Sequence, residues 1–183
     1  MRAYPRAMAT GPKILVVEDE RSIGTLVSTY LRRAGYAAFP YASRSPREVD
    51  SEVLAQDVRG AVAAVRRRPE VDPRRVYVVG ASIGASATAW AAGAKPVPPA
   101  RAFVGLSPLE DVEFVRARGT PAYAPRDLLL LADAQEVSES EKIAADARRR
   151  VAVRRAPADG HGVVLLQDAR VRQIVLGWLR RHP

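Results

Sequence analysis

Short runs of consecutive apolar residues alternate along the chain with longer stretches in which apolar residues recur every three or four positions. The runs fall at 13–17, 36–41, 75–80, 102–106, 127–132 and 151–156. Near-continuous apolar runs of this length, rich in Val, Ile and Leu, predict strands covered on both faces. Pro40 predicts an early stop to the second. Between them, 22–34 carries Ile23, Leu26, Val27, Tyr30 and Leu31 on one helical face and stops at Gly35. Segment 48–67 places Val53, Leu54, Val58, Ala61, Val62 and Val65 on another stripe, and 168–181 does the same with Val171, Ile174, Val175, Trp178 and Leu179. Segments 83–93 and 138–150 also read as helices, the first built of small residues, and 110–119 as a short helix or loop. Strand and helix thus alternate throughout. This predicts right-handed parallel crossovers and an α/β fold: a single, mostly parallel six-stranded sheet with helices on both faces. Segment 1–12 reads as a flexible tail, and 13–183 as one domain.

In open sheets of this kind, chemistry sits beyond the carboxyl ends of the strands. The loops after Val17, Tyr41, Gly80, Leu106, Ala132 and Ala156 are therefore the places to look. One of them reads Gly80-Ala-Ser-Ile-Gly84, directly between a strand and a helix. A G-x-S-x-G in that context is a nucleophile elbow, where the turn is too tight for side chains larger than hydrogen at the glycines. The helix start behind Ser82 offers backbone N–H groups and a positive dipole end, so the N–H of Ile83 is a candidate oxyanion donor. A serine nucleophile needs a base. The chain has two His, and His182 is penultimate, which leaves His161 in Gly160-His-Gly162 after the sixth strand.

Composition narrows the choices further. There is no Cys among 183 residues, hence no thiol nucleophile, disulfide or thiolate metal site. Two His argue against a multi-histidine metal centre, and no cofactor is implied. No apolar run reaches the roughly 18 residues of a membrane span, and the N-terminus lacks the apolar stretch of a signal peptide, so a soluble cytoplasmic protein is expected. The formal charge of +9 comes almost wholly from Arg, since only Lys13, Lys95 and Lys142 are lysines. Most of the arginine groups fall near predicted C-terminal ends of helices, which complements the helix dipole. They are not interleaved with aromatics, so no nucleic-acid partner is expected.

The residues from about 48 to the end resemble a small α/β-hydrolase of the dienelactone-hydrolase or acyl-esterase type. The resemblance rests on Asp57-Val-Arg-Gly-Ala-Val-Ala-Ala-Val65, Val71-Asp-Pro-Arg-Arg75, Val79-Gly-Ala-Ser-Ile-Gly-Ala85, Gly105-Leu-Ser-Pro108, Gly160-His-Gly162 and Gly177-Trp-Leu179. It implies Ser82 as nucleophile, His161 as its base, and an acid after the preceding strand to orient the histidine. That place reads Ala132-Asp-Ala-Gln-Glu-Val-Ser138, which offers Asp133 as first choice and Glu136 as second. The pattern departs from the family after the first strand. A His-Gly type loop there usually donates the other oxyanion N–H; here it reads Glu18-Asp-Glu20.

That opening also resembles something else. Lys13-Ile-Leu-Val-Val-Glu-Asp-Glu20 followed by Leu31-Arg-Arg-Ala-Gly-Tyr36 looks like the start of a response-regulator receiver domain, with Glu18 and Asp19 as metal carboxylates. A receiver needs an Asp ending its third strand, but Asp57 lies in a helical pattern. Three readings follow: a serine hydrolase acting on small-molecule ester, thioester or related acyl substrates; a catalytically degenerate hydrolase-fold binding module; and a receiver-type signalling protein.

Overall fold

The computed structural model describes residues 13–17, 21–41, 51–93 and 100–182. Six strands form one sheet: β1 (Lys13–Val17), β2 (Ala37–Tyr41), β3 (Val76–Ala81), β4 (Ala102–Leu106), β5 (Leu128–Ala132) and β6 (Ala152–Arg155). Their order is β2-β1-β3-β4-β5-β6, and every pairing is parallel. The helices are α1 (Arg21–Arg33), α2 (Ser51–Arg66), α3 (Ile83–Gly93), α4 (Val112–Ala117), α5 (Val137–Asp146) and α6 (Ala169–Arg180). Residues 1–12 and Glu18, Asp19 and Glu20, on which the tail and the metal-carboxylate expectations fall, lie outside the described residues.

Successive strand side chains point to opposite faces, and the two hydrophobic cores follow that alternation. Val76, Val78, Phe103, Leu128 and Leu130 join one core with α2 to α5, through Leu54, Val58, Trp90, Phe114 and Ile143. Tyr77, Val79, Val104, Leu106, Leu129 and Leu131 join the other with α1 and α6, through Val27, Leu31, Val171, Val175 and Leu179. All residues of β3, β4 and β5 are buried, which is why these strands read as unbroken apolar runs. β2 does not stop early but runs through Pro40 to Tyr41, which an edge strand allows; Pro40 and the exposed Arg154 and Arg155 of β6 blunt the two edges.

Two departures from the sequence pattern have local causes. The helix expected over 138–150 ends at Asp146, because Ala147 is extended and Arg148 N–H donates to the Tyr123 carbonyl (2.9 Å). The loop after β6 contains a 3-10 turn, Gly162–Gln167, that no periodicity announced. Asp57 lies on α2, as the pattern indicated, and β1 and β2 belong to the common sheet. The chain leaves β1 for β2 on one side and then crosses to β3 on the other. The crevice at that reversal, past the carboxyl ends of β1 and β3, is the usual site position in an open parallel sheet.

Candidate active site

β3 ends at Ala81, α3 begins at Ile83, and Ser82 alone makes the turn between them. Its φ is 53°, in the left-handed region that costs a non-glycine residue of the order of 1–3 kcal/mol. The turn is over-determined by its surroundings. Ser82 N–H donates to the Leu106 carbonyl on β4 (2.9 Å), while the Ser82 carbonyl accepts from Ala85 (2.9 Å) and Ser86 (3.2 Å) as the first turn of α3. A Cβ on Gly80 would run into the Gly84 carbonyl and the Thr88 hydroxyl, so the first glycine of the motif is required by close packing of helix on strand. Ile83 occupies the first position of α3, where a backbone N–H has no intrahelical acceptor.

His161 stands at the end of the loop after β6. Its Nε2 lies 2.8 Å from Ser82 Oγ and its Nδ1 lies 2.7 Å from Glu136 Oε1. A carboxylate can only accept, so Nδ1 carries the proton and donates to Glu136, which leaves Nε2 free to accept from the serine hydroxyl. The pair is half open: the His161 side chain is 47% exposed and that of Glu136 28%. Glu136 precedes the first residue of α5, where the positive end of the helix dipole favours a carboxylate.

Asp133, the first choice for the acid, does not meet the imidazole. It is only 5% exposed, and its carboxylate is taken up by backbone. Oδ1 accepts from the N–H groups of Gln135 (2.9 Å) and Glu136 (3.0 Å), and Oδ2 accepts from Gly160 (3.0 Å). These bonds, that from Gly160 foremost, hold its carboxyl below the ordinary carboxylate range against the opposing effect of burial. The physical reason for the correction is reach. Asp133 caps the turn that leads into α5, and capping turns its short side chain back onto its own loop, whereas Glu136 projects from the far end of that turn.

The glycines around the histidine have separate duties. Gly160 and Gly162 sit at φ of 132° and 56°, conformations that side chains rarely adopt. A Cβ on Gly160 would also press on Val164 at 2.8 Å. One contact that sequence reading missed is Ser107. It is fully buried at φ 51°, and its Oγ accepts from Gly162 N–H (2.9 Å). Ser107-Pro108 reads as the end of a strand and as part of the Gly105-Leu-Ser-Pro108 match, with no role attached to the serine. The second histidine lies elsewhere: His182 approaches Asp127, which precedes β5, and its carbonyl accepts from the Tyr77 hydroxyl. Among the described residues no three His, Cys, Asp or Glu side chains group as a metal site would need. None of their helices is long and apolar enough to cross a membrane.

No protein-family model matches the chain, and no curated protein matches it in sequence. Solved structures do. An esterase from Pyrococcus furiosus, Pf2001, superposes with a TM-score of 0.67 at 15% identity, over 95% of this chain and 85% of its own. DcsB, solved in complex with a substrate analogue, gives 0.69 at 13% identity over 94% and 90%. Esterase 2 from Thermogutta terrifontis, phosphorylated by paraoxon, gives 0.67 at 14% identity over 97% and 86%. These neighbours lend no support to the receiver resemblance of the opening residues. The chain has an α/β fold with a parallel sheet, and it shares that fold with these esterases.

Proposed function

We propose that the protein is a serine hydrolase acting on esters, thioesters or related acyl compounds through an acyl-enzyme. The observation that carries this is the unbroken line from Ser82 Oγ to His161 Nε2 and from Nδ1 to Glu136, at 2.8 and 2.7 Å. Ser82, His161 and Glu136 are its catalytic groups, with Glu136 in the place first given to Asp133. Ser82 Oγ attacks the acyl carbon while Nε2 takes its proton. The charge on the carbonyl oxygen is met by the N–H of Ile83. The imidazolium, held by Glu136, then protonates the leaving alcohol or thiol. Water attacks the acyl-enzyme with Nε2 again as base, and the proton returns to Ser82 as the acid departs.

Three exposed apolar side chains are carried by the elements that hold this centre. Ile83 follows the serine, Val164 belongs to the 3-10 turn after His161, and Leu109 is fixed beside α3 by Ser86 Oγ, which bonds both its N–H (3.0 Å) and its carbonyl (2.9 Å). Exposed apolar groups on these elements favour an apolar acyl substituent on a small substrate. Within the shared fold, the motifs from Asp57 to Leu179 favour the small dienelactone-hydrolase or acyl-esterase type. Neighbouring esterase structures carry propionate or butyrate, acids of that apolar kind. The test is stopped-flow hydrolysis of p-nitrophenyl acetate. A burst of nitrophenol stoichiometric with enzyme, absent in Ser82→Ala, is expected. Hydrolysis that persists unchanged in Ser82→Ala would remove the proposal, and a folded parent with neither burst nor turnover would leave the binding-module reading.

A further inference from the structure

His161 is the residue on which the proposed chemistry turns, and its side chain is exposed, although Gly162, Val163, Leu165 and Leu166 behind it are buried. A pair of acceptors, one on each side, holds its backbone. Gly160 N–H donates to Asp133 Oδ2 (3.0 Å), and Gly162 N–H donates to Ser107 Oγ (2.9 Å). Both acceptors are buried, Asp133 at 5% exposure and Ser107 at none. They come from neighbouring strand ends: Ser107 follows β4 and Asp133 follows β5. Asp133 does more than hold the histidine loop. Its other oxygen accepts the N–H of Glu136 itself (3.0 Å) and that of Gln135 (2.9 Å). One carboxylate therefore ties the backbone under the acid to the backbone under the base.

We propose that Asp133 and Ser107 are positioning residues that set the register between Ser82, His161 and Glu136, with Asp133 coupling the two loops and Ser107 tying the histidine loop to the sheet. Neither touches the imidazole, so both act through the backbone. The inference rests on the serine-hydrolase reading for its kinetic consequence but not for its structural one. A second feature agrees with it. Ser107 holds a left-handed φ of 51° at the strand end, and its N–H donates to the Leu131 carbonyl (2.8 Å). Strained backbone of this kind persists where the surroundings fix it, and such positions cluster at working sites. Gly162 also lies against the elbow, with Ser82 N within 3.6 Å of where its Cβ would stand, so a shift of this loop moves directly against the serine.

Asp133→Asn keeps the shape and replaces one oxygen by an amide NH2. Whichever way the amide sits, one of the two ties faces a donor instead of an acceptor. Loss of the outer partner of a metal-bound imidazole costs about 10- to 100-fold, a misplacement of about 1 Å in an active site costs about 100-fold, and loosening the histidine loop is expected to fall in the same range. The expected result is a kcat about 10- to 100-fold below the parent with KM changed less than about threefold. Rates are counted per site titrated with a fluorophosphonate, so that loss of folded protein is not mistaken for loss of rate. The companion readout is the proton NMR resonance of His161 Nδ1–H held by Glu136, expected far downfield in the parent and weakened or lost in the variant. Ser107→Ala removes the second tie alone and is expected to show the same pattern; if Asp133→Asn does not fold, it decides the matter by the same two measurements. A kcat per site within about twofold of the parent, with the downfield resonance unchanged, would overturn the inference. So would an Asp133→Asn that loses as much as His161→Ala while Glu136→Gln loses nothing, since Asp133 would then be the acid. If the parent neither labels nor hydrolyses, the serine-hydrolase reading fails, while the resonance still reports whether the ties hold the imidazole.

Discussion

Glu136→Gln isolates the charge behind the histidine. The side chains are nearly isosteric, so the change leaves the turn into α5 and its Asp133 cap in place. Glu136 lies 2.7 Å from Nδ1, which puts the centres of the two charges about 4 Å apart once the imidazole is protonated. At that distance the attraction is about 1 kcal/mol in water and about 4 kcal/mol at the effective dielectric of a protein surface. The pair stands between these limits, with the histidine side chain 47% and the glutamate 28% exposed. Each 1.4 kcal/mol, roughly, is tenfold in rate, so loss of the charge lowers kcat by about 5- to 700-fold. Where the Gln amide turns its NH2 to Nδ1, the imidazole must carry its proton on Nε2 and cannot accept from the serine. This pushes the loss toward the roughly 10⁴-fold known for the wrong tautomer in buried triads. The assay is steady-state hydrolysis of p-nitrophenyl acetate, with kcat and KM taken separately. Glu136→Asp, one methylene short, is expected to fall into the same range. A Glu136→Gln enzyme within about twofold of the parent would refute the assignment of the acid and the electrostatic argument with it.

Gly80→Ala is expected to abolish soluble expression or lower the Tm sharply, because its Cβ would overlap the Gly84 carbonyl; overpacking of this kind costs about 1–3 kcal/mol or more, read by thermal unfolding. Leu130→Ala, in the fully buried centre of β5, is expected to cost about 2–5 kcal/mol in chemical denaturation. Burial, and after it the neighbouring Asp146, hold the Glu110 carboxyl above its ordinary value of 4.5, so the folded state retains a proton that the unfolded chain releases. That stabilisation is full below pH 4.5 and is lost as pH rises through the raised value; Tm against pH for Glu110→Gln should lack this loss, and parallel curves would contradict it.

The fold was legible because three central strands are buried throughout and leave no polar residue to blur the runs, and because α3 between sheet and α2 has to be built of small residues. The pairing of Ser82 with His161 was legible for a related reason. A serine in a strand-to-helix turn allows few neighbours, and the chain has one histidine that a strand end can present. The acid was harder. Asp133 and Glu136 both follow β5, and spacing alone does not say which side chain turns outward. What separates them is in the turn: Asp133 accepts from the N–H groups of Gln135 and Glu136 and is occupied with its own backbone, which spacing does not announce. Ser107 left no trace either, since its part depends on a loop that arrives 55 residues later in the chain. Of the arginine clusters, Arg32, Arg33, Arg66 and Arg180 do sit in last helical turns, whereas 148–150 falls after α5 has ended.

Whether Ser82 is an activated nucleophile is read by intact-mass and peptide mapping after exposure to a fluorophosphonate. A single adduct on Ser82 is expected, none in Ser82→Ala, and strongly slowed formation in His161→Ala. No adduct on the folded parent, or an adduct undiminished in Ser82→Ala, would contradict that role.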